Sequence, residues 1–341
     1  MAIVNSRYVS PFHVPGKPPH RLVQAVHRAE RDVIYDPGTP GLTSRSVLWH
    51  KSTASLRATP TAQAVLLPLT IDQLQERRAR DRFVDVCLAG QPGAALLTPP
   101  YLDFSKVDSA TFEINLKMIE RAVTTAGPAQ TIAFVQMTAS KLRDGILRDA
   151  APLIAETSLK RVIIRARDIG EGARGADLEA LLDALDAFHA AGVEVVFDCA
   201  GRLGPLLVRE GAAGFSTGPM YFRKVARELL QVGGGGGGGR LPFEEYANWG
   251  WVDRDEIGKT AAACPVPNCP VTAGAELDEI REHNLHVLRH LAQALSTWNT
   301  ADLVKSLRES GSEAAAEWAN VIVARRASEA GESSGGQPSG S

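Results

Sequence analysis

Cysteine is scarce: four in 341 residues do not make a disulfide framework. A chain of this length needs none, because it buries roughly three quarters of its unfolded surface in a core of its own. Long apolar runs are also missing. No stretch approaches the ~18 residues that span a bilayer. The opening MAIVNSRYVSPFHVPGKPPH lacks a basic segment followed by an apolar one, which argues against a secretory signal. The expected location is therefore the cytoplasm, with reduced thiols. Neither sign of charge is in excess. Lys and Arg total 37 and Asp and Glu 39, a formal net charge of −2. That argues against a globally basic nucleic-acid binder and leaves room for a local basic groove. Two nucleotide-binding signatures are lacking as well. DVIYDPGTPG contains no G-x-G-x-x-G, and no Lys-Ser or Lys-Thr follows the seven glycines Gly233–Gly239.

Short, β-branched apolar runs ending in Gly, Pro or polar residues are present. They are Asp32–Tyr35, Ala94–Leu97, Thr131–Val135, Arg161–Ile164, Glu194–Phe197 and Ala213–Phe215. Their length and composition predict buried parallel strands. Helical periodicity lies between them. Ile71–Ala89 starts after Thr70 as N-cap and stops at Gly90, and Ala110–Thr125 follows Ser109. Ser140–Glu156 carries Pro152, which predicts a break or a new helix start there, and Asp177–Ala191 stops at Gly192. Alternation of this kind implies a parallel sheet covered by helices. We expect a (β/α)8 TIM-like barrel, irregular because only six strands are clear, with the missing pair in Thr39–Leu69. An open doubly wound sheet is the other closure.

The expected organisation is a barrel over residues 1–230. The glycine run, a Cys-containing insertion and C-terminal helices follow over 231–326, with a disordered Gly/Ser-rich tail over 327–341. The C-terminal helices are read as Ala275–Leu295 and Thr300–Arg326. The aromatics Phe243, Tyr246, Trp249 and Trp251 read as packed side chains, with base stacking as the alternative.

Active sites of parallel α/β proteins lie at the carboxyl ends of the strands. The residues there are Asp36, Tyr101, Asp103, Gln136, Arg165, Arg167, Asp168, Asp198, Cys199, Ser216 and Thr217. The carboxylates Asp198, Asp103 and Asp168 are candidates for nucleophile, general base or metal ligand, Asp198 first among them. Each could instead cap a turn or helix. Arg165 and Arg167, two apart on one strand, share a face and could hold a phosphate or carboxylate. An ion pair with a neighbouring Asp is the bland alternative. Gln136, Tyr101 and Ser216 complete the substrate-binding candidates. Cys87 and Cys199 read as core thiols. Cys264, Cys269 and His283 have zinc-ligand chemistry, although C-x4-C is an irregular spacing; a Pro-rich loop beside a polar helix face is the competing reading.

The segment EGAAGFSTGPMYFRKVA, the glycine stretch, the Cys-bearing loop and EHNLHVLRHL together resemble the C-terminal half of tRNA-guanine transglycosylase-like barrels. The resemblance covers about a third of the chain. It implies a (β/α)8 barrel with a zinc-bearing insertion, exchanging a nucleobase through an Asp nucleophile. Cys264 and Cys269 match the outer positions of the family's C-x-C-x-x-C motif, and Val266 stands at the middle one. Ser216 and Thr217 stand near the family's nucleophile, so Asp198 would supply the carboxylate from the neighbouring strand. The resulting expectation is a base-exchanging glycosyltransferase acting on a nucleobase or nucleic acid. Two alternatives stay open: a non-catalytic barrel that binds nucleic acid or protein, and a small-molecule enzyme with no nucleic-acid link.

Overall fold

The structure is a computed structural model. It describes residues 2–5, 33–37, 70–91, 93–167, 169, 173–216, 242–245, 249–253 and 277–334. The chain is a mixed α/β protein. β1 (Ala2–Asn5) pairs in parallel with β2 (Val33–Asp36). The four-stranded parallel sheet consists of β3 (Ala133–Thr138), β4 (Arg161–Arg167), β5 (Glu194–Phe197) and β6 (Gly214–Phe215), in that order. Single parallel bridges, Ile34 to Leu96 and Leu97 to Thr131, join the two sheets. Among the described residues, every parallel neighbour from β1 to β6 is thus the next extended segment in the chain.

The expected Ala94–Leu97 strand is reduced to Leu96 and Leu97. Gly93 lies at φ 68° on one side, and Pro99 and Pro100 follow on the other. Proline has no N–H to give a ladder, so pairing stops there. β1 was not among the expected strands, whereas Thr39–Leu69, where a missing pair was expected, lies outside the described residues.

Helices cover one face. The expected Ile71–Ala89 helix is two pieces, α1 (Ile71–Gln75) and α2 (Arg77–Ala89), separated at Glu76 with φ −68° and ψ 119°. Thr70 caps α1 in a capping box with Gln73, as its sequence position suggests. α3 (Ala110–Ala126) starts at the Ser109 cap. The predicted break at Pro152 does not occur. α4 (Ala139–Arg143) ends early, and α5 (Ile146–Glu156) starts after Gly145 in the left-handed region at φ 77°. Gly takes that conformation without penalty, whereas Pro152 sits on an exposed turn where water can satisfy the freed carbonyl. α6 (Gly175–Ala190) precedes β5, and α7 (Leu203–Arg209) lies between β5 and β6.

Beyond β6 an antiparallel hairpin, β7 (Pro242–Glu245) and β8 (Gly250–Asp253), forms in the aromatic-rich stretch. Three helices follow: α8 (Leu277–Leu295), α9 (Thr300–Glu309) and α10 (Glu313–Ser334). The expected single helix over Thr300–Arg326 is broken at Gly311, φ 73°. The expected disordered tail from Ala327 is helical as far as Ser334, favoured by Ala327, Ala330 and the Arg326–Glu329 pair at 2.7 Å. The glycine run and Tyr221–Leu230 lie outside the described residues.

The main apolar core is continuous from Phe104 through β3–β5 and α4–α7 to Trp249, Leu291, Leu303, Trp318 and Ile322. A second cluster, including Leu74, Phe83, Val84 and Met118, packs α1–α3 together. No helix among the described residues is long and apolar enough to cross a membrane.

Candidate active site

Strand pleating places residues i and i+2 on one face. Ile34 is followed on its face by Asp36, Phe134 by Gln136, Ile163 by Arg165 and Arg167, and Val196 by Asp198. The first members of these pairs belong to a small apolar cluster on the face opposite α4–α6: Ile34, Phe134 and Ile163, with Ile132 and Tyr101, and Val196 packed against it. The second members form a polar layer one pleat further along, at the carboxyl ends. Register aligns that layer. Gln136 lies opposite Arg165, and the Asp198 N–H donates to the Ile164 carbonyl at 2.8 Å.

Arg165 is the hub. Its Nη1 donates to Asp36 Oδ2 at 2.8 Å and to the Tyr101 hydroxyl at 2.7 Å, and reaches Gln136 Oε1 at 3.4 Å. Its Nε donates to Asp198 Oδ2. The guanidinium carbon lies 4.5 Å from the Phe134 ring centre, and Tyr101 stacks on that ring at 5.0 Å. Tyr101 also donates to Asp36 Oδ1 at 2.7 Å. The Ser216 hydroxyl donates to Asp198 Oδ1 and accepts from the Cys199 N–H at 3.2 Å. Asp36, Arg165 and Asp198 are almost fully enclosed, with side-chain exposures of 0%, 6% and 4%. Burial opposes the Arg165 charge, yet Asp198 and Asp36 outweigh it and hold the guanidinium well above its usual pKa. Burial pushes the Tyr101 hydroxyl well above its ordinary range, so it stays a donor.

Asp103 stands apart. Its side chain is 25% exposed, the most open carboxylate of this group. Gln136 Nε2 donates to its Oδ1 at 2.6 Å, and Arg167 Nη2 lies 2.8 Å from Oδ2. Burial raises its pKa above the usual carboxylate value, against the pull of Arg167 and Gln136. The amide and the guanidinium thus hold a carboxyl group that gives up its proton late, at the open edge of a closed charge network.

The strand-end reading therefore gathers Asp36, Tyr101, Asp103, Gln136, Arg165, Arg167, Asp198 and Ser216 into one cluster. Asp168 and Thr217 lie outside the described residues, as do Cys264 and Cys269. His283 is buried in α8 at 1% exposure beside Asn284. Among the described residues, no group of three or more His, Cys, Asp or Glu side chains is placed to hold a metal ion. Cys87 is a core thiol, pushed up to about 12 chiefly by burial and hydrogen-bonded to Gln91. Cys199 is half-buried rather than a plain core residue. It takes φ 56° at the end of β5, and burial and Asp198 hold its thiol in the protonated form. Phe134, the platform under Arg165, was not singled out from the sequence; its i, i+2 spacing to Gln136 was the available signal. No known protein family matches the chain, nor does any curated protein or solved structure.

Proposed function

We propose that the chain is a barrel enzyme acting on a nucleobase-containing substrate, by base exchange of the transglycosylase type. Chain-order parallel pairing and an apolar layer on the face away from the helices support the barrel, whose interior is filled by such layers. The observation that carries the function is Asp103, held open to solvent between Gln136 and Arg167. The partly exposed Asp103 carboxylate beside the Arg167 guanidinium sets an acceptor next to donors, as the edge of a base requires, while the buried Gln136 amide holds the carboxylate from behind. Asp103 is the carboxylate a substrate reaches, and it serves as the acid–base group: it takes the proton from the incoming base and returns it to the departing one, as one glycosidic C–N bond forms and the other breaks. Asp36 and Asp198 fix Arg165 behind it. Arg167 balances the Asp103 charge and offers its remaining donors to substrate oxygens.

The test is release or exchange of labelled nucleobase from nucleosides, RNA and DNA by the purified chain. Asp103→Asn is expected to lower turnover about a hundredfold, the size of a lost acid–base group. The pH profile adds a second check. The carboxylate form of Asp103 is present only above its raised pKa, so turnover falls on the acid side, at a higher pH than an unperturbed aspartate would give. That limb disappears in Asp103→Asn. Binding without turnover would replace this reading by a recognition module. Turnover of small molecules without base chemistry would select the third alternative.

Zinc held by Cys264, Cys269 and His283 is a structural part of the same proposal. Purified protein is expected to carry about one zinc per chain, lost in Cys264→Ser, by elemental mass spectrometry. Protein free of zinc overturns that part alone.

A further inference from the structure

The connection leaving β4 starts directly after Arg167 and ends where α6 begins, at Gly175. Its far end is held from outside. α6 has no side-chain cap from its own N-cap residue, Arg174. Asp177 of α6 accepts from the Arg174 N–H at 2.9 Å, and Glu317 of α10 takes the next one, its Oε2 accepting from the Gly175 N–H at 2.7 Å. Its Oε1 accepts from Arg174 Nη1 at 3.2 Å, and Glu313 pairs with the same nitrogen at 3.0 Å. One residue on, the Trp318 Nε1–H donates to the Ala173 carbonyl at 3.1 Å, and Trp318 is 2% exposed. Gly175 lets the two helices approach this closely. A Cβ there would lie 3.2 Å from the Glu317 Cβ and 3.4 Å from Val321 Cγ2. Further along α6, Arg325 pairs with Asp183 at 2.9 Å and with Asp186.

The β4–α6 connection is therefore fixed at three places. Arg167 pairs with Asp103 at its start, Ile169 is buried in the main core, and Ala173–Gly175 lie under α10. We infer that Glu317 and Trp318 are positioning residues for the active-site rim: the C-terminal helix fixes Ala173–Gly175, the end of the connection that starts at Arg167. A buried N–H or carbonyl that loses its partner opens more often, and local opening is what amide exchange reads.

The test is hydrogen exchange by mass spectrometry on the full chain, with Glu317→Ala, Glu317→Gln and Trp318→Phe. Glu317→Ala is expected to speed exchange in residues 168–176 about tenfold, the effect of losing one charged hydrogen bond. Glu317→Gln, which keeps an acceptor for the Gly175 N–H, restores most of the protection. Trp318→Phe, close in volume but without the donor, speeds the same segment. Peptides from β3 and β5 keep their rates in the two Glu317 variants, where no core volume is lost. Unchanged exchange over 168–176, or an increase spread evenly along the chain, overturns the inference. The readout needs no substrate, so it stands or falls separately from the base-exchange reading.

Discussion

Arg165→Met is expected to destabilise the protein by about 3–5 kcal/mol, the usual cost of removing one partner from a buried ion network. The reason is local. Asp36 and Asp198 are enclosed, and Arg165 is the cation that both contact. Without it, Asp36 and Asp198 lose the guanidinium they share above an apolar floor of Ile34, Phe134 and Ile163. Tyr101 keeps its bond to Asp36 but loses the one to Arg165. At roughly 2–4 °C per kcal/mol, the melting temperature should drop by about 10 °C. Differential scanning calorimetry on the two proteins reads this directly. Adding Asp36→Asn and Asp198→Asn to Arg165→Met should recover much of the loss, because the uncompensated charge goes with them. A Met variant as stable as the parent would show the network to be solvated rather than closed.

Trp318→Ala is expected to cost about 3–5 kcal/mol as well, the range for deleting a large buried aromatic. Trp318 belongs to the same apolar cluster as Val162, Leu178 and Phe197. Its loss opens a cavity in the core shared by the sheet and the C-terminal helix, and leaves the buried Ala173 carbonyl without its indole donor. Chemical denaturation should show a lower midpoint in a single transition, since one core spans β3 to α10. A separate early transition, with the sheet unaffected, would mean that the C-terminal helices unfold as an independent unit.

The strand-end residues were legible for a geometric reason. Apolar runs with polar ends mark where parallel strands finish, and parallel strands finish on one side of the sheet. The period of two then ties Gln136 to Phe134 and Arg165 to Ile163 without knowledge of the partners. Caps were legible because they are local: Thr70 and Ser109 each accept from an N–H three residues on. Gly145 and Gly311 were harder to read, because a glycine marks a break only if the packing on either side calls for one.

Other features were decided only by tertiary structure. The roles of Arg165 and Arg167 differ although they are two residues apart on one strand. Arg165 is sealed between Asp36 and Asp198, and Arg167 meets Asp103 at the open edge. Asp198, the leading carboxylate in the sequence reading, is almost fully enclosed, and among the described strand-end carboxylates Asp103 is the one that meets solvent. Both outcomes depend on register and on what lies above each strand end, and those contacts join residues 33 to 129 positions apart. The capping of α6 by Glu317, 142 residues away, is of the same kind. The sequence alone determined the alternation of strands and helices and the side on which polar residues gather, because periodicity and capping act within a few residues. Which carboxylate is buried, which is open, and which helix holds the rim were set by packing, because burial and ion pairing are properties of neighbours the chain meets only after it folds.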